Sequence, residues 1–225
     1  MLKYLLITVI AINLIACGQT NAGEQNNDPA DDTPSLAKEK TMDTSSFWKI
    51  MDYAFTKARF DNTLRAQTIL DQLTKLTPAQ IQEFEIIFQQ MNLKANTWNN
   101  MAAQTIIEGG SSDDRFYYFR CWLISLGRHN FEEVLKDPDY LAGIDIPVNK
   151  EHNDGEALFE ELIPLSDRAY SIVTGKHSED SSFPRALAQK KGLFYDSDGE
   201  TKGKKWTDQE LPNIAPKLYK KFNTK

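Results

Sequence analysis

After residue 45 the apolar side chains recur at steps of three and four, the spacing that gathers them on one face of an α-helix. The first such stripe is Phe47, Ile50, Met51, Ala54 and Phe55, with Ser45 or Ser46 placed to cap it. A second runs through Leu64, Ile69, Leu73 and Leu76. Thr77-Pro78 opens a third, because proline at the first helical position gives up a donor that would be orphaned anyway. Ile81, Phe84, Ile87, Phe88 and Met91 line its inner side. A fourth helix is predicted from about Ala95 to Ile107, with Trp98, Met101, Ala102 and Thr105 in register and Gly109-Gly110 as the stop.

The next stretch departs from this amphipathic pattern. Ser112-Asp113-Asp114 supplies a capping hydroxyl and two carboxylates, which a helix N-terminus favours. Behind them Phe116, Phe119, Leu123 and Leu126 form one stripe, and Tyr117, Cys121 and Ile124 carry apolar character around the cylinder. A helix apolar over most of its circumference belongs at the centre of a domain. Gly127 ends it, a shorter helix follows through Phe131, Val134 and Leu135, and Asp137-Pro138-Asp139 opens a further turn toward Leu141.

Beyond Gly143 the periodicity weakens. Residues 144–148 read as a turn-rich link, and 155–174 as a helix on Leu158, Phe159, Leu162, Leu165 and Tyr170 that Pro164 kinks or divides. Residues 176–205 are polar and glycine-bearing, and Asp198-Gly199 between two aromatic-containing stretches fits a small hairpin. Pro212 and Pro216 break the last stretch, from Trp206 to Phe222, into two short helical turns. The expectation is a mainly α protein with one helical domain over about 45–225 and a small β-hairpin near the C-terminus.

The start of the chain is of another kind. Lys3 precedes an apolar run from Tyr4 to Ile12, and small and branched residues lead up to Cys17, the layout of an export signal. The run is shorter than the roughly 20 residues of a membrane span. Leu14-Ile15-Ala16-Cys17 resembles the bacterial lipobox, which implies acylation of Cys17 and cleavage just before it. Residues 17–44 are rich in Gly, Asn, Asp, Pro and Thr and too poor in large apolar groups to offset their ordering entropy. They read as a tether with a root-mean-square span of about 30 Å. The expected address is the bacterial envelope, with the membrane as partner through the lipid. Gly18 in place of an aspartate after the cysteine favours the outer membrane over the inner.

Charge narrows the partners. The chain has 26 Lys and Arg against 32 Asp and Glu, a net charge of −6, and losing Lys3 takes it one unit lower. Nucleic acid calls for a basic stripe, and the pairs Lys190-Lys191, Lys204-Lys205 and Lys220-Lys221 read as solvated surface among acids. With Cys17 committed to lipid, Cys121 has no disulfide partner and reads as a small buried hydrophobe.

Several of these segments look familiar together. Phe47-Trp48-Lys49-Ile50-Met51, then Gly109-Gly110-Ser111-Ser112-Asp113-Asp114, the run from Phe116 to Arg128, and Asp137-Pro138-Asp139 resemble the bacterial domain-of-unknown-function family 4240, DUF4240. The likeness covers about 46–141, continues more loosely through Ala169, Tyr170, Thr174 and Gly175, and touches Gly192 and Trp206. It implies a helical domain and no known activity. The lipoprotein leader is a departure from the family pattern.

For chemistry, Asp113 and Arg120 lie two helical turns apart on one face, where an arginine needs a carboxylate or carbonyl partner. Two readings stay open: a structural ion pair, or a pocket bordered by Asp113, Asp114, Arg120, Trp98 and Trp122 that binds a charged ligand. Asp113 and Asp114 point about 100° apart on a helix, so acid–base work would need another acid such as Glu108. His129, His152 and His177 lack zinc-site spacing, and the Asp196-Ser197-Asp198-Gly199-Glu200 run lacks the ligands of a calcium loop, so neither a metal nor a cofactor is expected. The leading expectation is a noncatalytic binding module that takes a protein or small ligand. The alternatives are an envelope hydrolase or transferase using Asp113 or Asp114, and an immunity-type lipoprotein that binds a toxin.

Overall fold

A computed structural model of the chain describes residues 41–149, 154–177, 179–193 and 200–223. Cys17 and the leader lie outside these residues, as do His152 and most of the Asp196–Glu200 run. The architecture is mainly α, and the order of the first six helices follows the apolar stripes.

Helix α1 spans Thr44–Ala58 and is capped by Asp43, whose Oδ1 accepts from Ser46 N at 2.7 Å. Ser45 and Ser46, the expected caps, therefore sit inside the first turn, and Asp43, in the extended conformation just before the helix, takes the cap position. The helix closes at Arg59, which takes φ +49° while its N–H donates to Phe55 O at 2.8 Å. Its guanidinium lies 4.6 Å from the Phe55 ring centroid, so a side-chain contact helps hold the left-handed turn.

Helix α2 (Asn62–Leu73) starts on the Asp61 cap and ends before Leu76. Helix α3 (Pro78–Ala95) has a full capping box between Thr77 and Gln80. Ala95, expected to open the fourth helix, instead closes the third; α4 is Trp98–Glu108 with Thr97 as cap. Helix α5 (Asp113–Ser125) begins on Ser112 as expected, and every residue from Phe119 to Ser125 is buried. It touches α1, α3, α4 and α6, the central position its composition required. Between α5 and α6 (Arg128–Lys136), Gly127 takes φ +87°, and a Cβ there would meet Asp52 Oδ1 at 2.5 Å. That closeness matters, because Asp52 Oδ1 accepts from Arg128 N at 2.7 Å and so joins α1 to the start of α6.

The second half differs from its sequence pattern. A 3-10 turn over Pro138–Gly143 leads to a short antiparallel pair, β1 (Val148–Asn149) with β2 (Asp154–Gly155). Only Leu165–Thr174 of the expected 155–174 helix forms α7, preceded by a 3-10 turn at Glu160–Leu162; Pro164 divides the segment. The polar 176–205 stretch contains α8, Pro184–Lys190, which packs on α3 and α7. The Asp198-Gly199 turn lies outside the described residues. Helices α9 (Leu211–Ile214) and α10 (Pro216–Asn223) complete the chain against α4. Among the described residues no helix is long and apolar enough to cross a membrane.

Candidate functional site

The first turn of α5 exposes Asp113 and Asp114, as its capping role requires. Two turns on, Arg120 is buried, with 4% of its surface exposed. Its Nη1 donates to the Asn92 carbonyl of α3 at 3.4 Å, and its guanidinium lies 4.9 Å from the Phe116 ring centroid and 5.3 Å from that of Tyr117. A carbonyl and two ring faces thus answer the need for a partner. Among the described residues no ion pair joins Arg120 to Asp113.

The two indoles expected beside this arginine are apart from it in kind. Trp122 is in the core, stacked on Phe119 at 5.7 Å. Trp98 is half-buried at the start of α4, edge-on to Trp206 at 6.4 Å, and its carbonyl accepts from Trp206 Nε1 at 2.7 Å. The five residues therefore do not line one opening: two are interior, two are exposed in the first turn of α5, and one belongs to a surface pair with the C-terminal segment.

Sequence reasoning missed two buried polar centres. On α3, Glu85, Gln89 and Asn92 share a helical stripe that faces inward. Glu85 Oε2 accepts from Ser166 Oγ at 2.6 Å, Oε1 from Gln89 Nε2 at 2.8 Å, and the same Gln89 amide lies 3.4 Å from Tyr117 OH. Burial pushes the Glu85 carboxyl above its ordinary range against these hydrogen bonds. The signal was available: a carboxylate inside the run Phe84 to Phe88 has to find internal partners. The other centre is Arg65 on α2, 0% exposed, 4.6 Å from the Phe159 ring centroid and hydrogen-bonded to Asn62. Among the described residues its Nε and Nη1 have no hydrogen-bond partner. Burial lowers its pKa to about 10, partly offset by Glu161 and Asp61.

Glu108, the expected second acid, is buried at the end of α4. Its Oε2 accepts from Gln104 Nε2 at 2.8 Å and from Arg115 Nε and Nη2 at 3.2 and 3.1 Å. The pair ties the end of α4 to the start of α5, so this carboxylate does not face the Asp113 and Asp114 side of the turn as an open group. Cys121 is fully buried, and burial raises its thiol pKa, which keeps it protonated and unreactive.

The residues of 42–171 match the model of DUF4240, a protein family of unknown function, over more than half of the chain. The chain belongs to this family. Neither a curated protein nor a solved structure matches it. The DUF4240 span runs from the residue before the Asp43 cap into α7, so α8 to α10, including Gly192 and Trp206, lie beyond it.

Two depressions border α6. One depression of about 440 Å³ lies between α1 and α6, lined by Asp52, Thr56, Arg128, His129 and Glu132 among others. A second, of about 410 Å³, lies between α6, the 3-10 turn and Lys217 of α10, with Glu133, Asp137, Asp139 and Tyr140. Tyr140 OH donates to Asn130 Oδ1 at 3.0 Å, so one hydrogen bond links the linings of the two. His129 stands edge-on to Tyr140 at 6.2 Å. Among the described residues no group of three His, Cys, Asp or Glu side chains could hold a metal ion. What this ridge offers is mixed-charge hydrogen bonding, suited to polar recognition.

Proposed function

We propose that this protein is a lipid-anchored member of DUF4240 that acts as a noncatalytic binding module at the bacterial envelope. Acylation of Cys17 fastens it to a membrane, the outer one by the Gly18 rule, and residues 18–44 link the lipid to the helical domain. The observation that carries the binding role is the α6 ridge: two depressions of about 440 and 410 Å³ with mixed polar and apolar linings, joined by the Tyr140–Asn130 hydrogen bond. Glu85 supports the same reading, since both of its carboxylate oxygens accept hydrogen bonds inside the domain.

A photo-reactive residue in place of His129 tests this in intact cells, with the same residue in place of exposed Lys75 as the control. The proposal expects one discrete crosslinked species from position 129 and none from 75. Turnover of an envelope substrate by the purified protein, abolished by Asp113→Asn or Asp114→Asn without a change in melting temperature, would instead establish the hydrolase or transferase reading.

A further inference from the structure

The C-terminal segment reverses the charge of the rest of the molecule. Between Thr201 and Asn223 there are six lysines and two acids, in a chain whose net charge is −6. Part of that charge is gathered at one built feature. Lys202 pairs with Thr97 in a parallel bridge: its backbone N–H donates to Asn96 O at 3.1 Å and its carbonyl accepts from Trp98 N at 2.9 Å. This fixes the run Lys202-Gly203-Lys204-Lys205-Trp206 along the start of α4. Trp206 then stands against Trp98, both half-buried, and Lys205 Nζ lies 5.2 Å from the Trp98 ring centroid. Lys202, Lys204 and Lys205 are exposed; Lys204 keeps 83% of its side-chain surface in water even while paired with Glu210 at 2.7 Å.

Lys202 Nζ also donates to Leu93 O at 3.0 Å. Two half-buried indoles with three exposed lysines in the adjoining run match the chemistry of a bilayer interface, where tryptophan sits at head-group level and lysine meets anionic lipid. We propose that this Lys–Trp patch docks the domain on the anionic phospholipid head groups of the membrane that holds Cys17. Trp98 lies within the residues matched by the family, 42–171, and the Lys202–Trp206 run lies beyond them. The inference rests on the anchored reading above: a lipid at Cys17 keeps the domain close to the bilayer, so weak electrostatic contacts suffice to hold one face toward it. The acidic remainder of the domain is repelled by the same surface, which makes the docked orientation selective.

The test uses the full chain purified from cells, in vesicles of neutral phosphatidylcholine and in vesicles with added phosphatidylglycerol. Acetylation rates of Lys202, Lys204 and Lys205 are read by mass spectrometry against Lys75, which is exposed on the α2–α3 turn. The expected result is at least a tenfold slowing at the three lysines on anionic vesicles only, with reduced acrylamide quenching of tryptophan. A Lys202→Gln, Lys204→Gln, Lys205→Gln variant loses the quenching difference while keeping its circular dichroism spectrum. Equal rates on both vesicles overturn the proposal, as does protection that appears without vesicles as protein concentration rises, which would assign the patch to a second copy. The Cys17 peptide from the same samples reports acylation separately. A chain without lipid that still pellets with anionic vesicles alone would retain the patch and remove the anchor.

Discussion

Glu85 and Glu108 are both buried glutamates on neighbouring helices, yet they are held in opposite ways. Glu85 accepts from a serine hydroxyl and a glutamine amide, both neutral donors. Glu108 meets the Arg115 guanidinium as well as Gln104, and Arg115 is half-exposed, so water shares the load of its charge. Burial raises the pKa of both. The comparison teaches that both acids tie helices together inside the domain, and that what differs is whether a cation stands beside the buried carboxyl.

The sharpest way to break the comparison is to remove one carboxylate outright. Glu85→Ala leaves the Ser166 hydroxyl and Gln89 amide without their acceptor inside the core, and is expected to cost about 3 kcal/mol in denaturant unfolding. Glu108→Gln keeps the shape and loses the charged partner of Arg115; because Arg115 can turn to water, about 1–2 kcal/mol is expected. Arg65→Met replaces a buried cation whose Nε and Nη1 have no partner among the described residues, so stability is expected to hold or rise by about 1 kcal/mol. Smallest of all, Asp113→Asn loses only a helix-dipole contact at an exposed first turn, below about 0.5 kcal/mol. A loss of several kcal/mol there would return Asp113 to a structural ion pair.

The two glutamates also separate by pH. Glu85 holds its proton in the folded state above the ordinary value of 4.5, so the unfolded chain binds fewer protons between the two values and stability falls as pH rises through that window. Glu85→Gln mimics the protonated acid without titrating. It is expected to flatten that part of the stability profile and to match or exceed the parent at neutral pH.

Much of the fold was legible because local signals and packing agree. Thr77-Pro78 opens α3 as read from the chain, and the all-round apolar character of α5 did place it at the centre. The misses have physical causes. Asp43 displaced Ser45 and Ser46 as cap because several capping side chains stand close together and the nearest backbone geometry decides. Helix α8 is only Pro184–Lys190, too short for a stripe to form, and it depends on α3 and α7 to bury it. The candidate site was less legible. Asp113 and Arg120 share a helical face, but spacing along one helix says nothing of depth, and the Asn92 carbonyl that receives Arg120 comes from α3. Neither the α6 ridge nor the Trp98–Trp206 pair could be read from the chain, since each joins residues distant in sequence.

With the interior assigned to structure, the account turns on what happens at Cys17. Intact-mass and peptide analysis of the membrane-extracted protein reads this directly: the account predicts a chain beginning at Cys17 with acyl groups on it. A chain that begins at Met1, or that carries an unmodified Cys17 thiol in the cytosolic fraction, would contradict it.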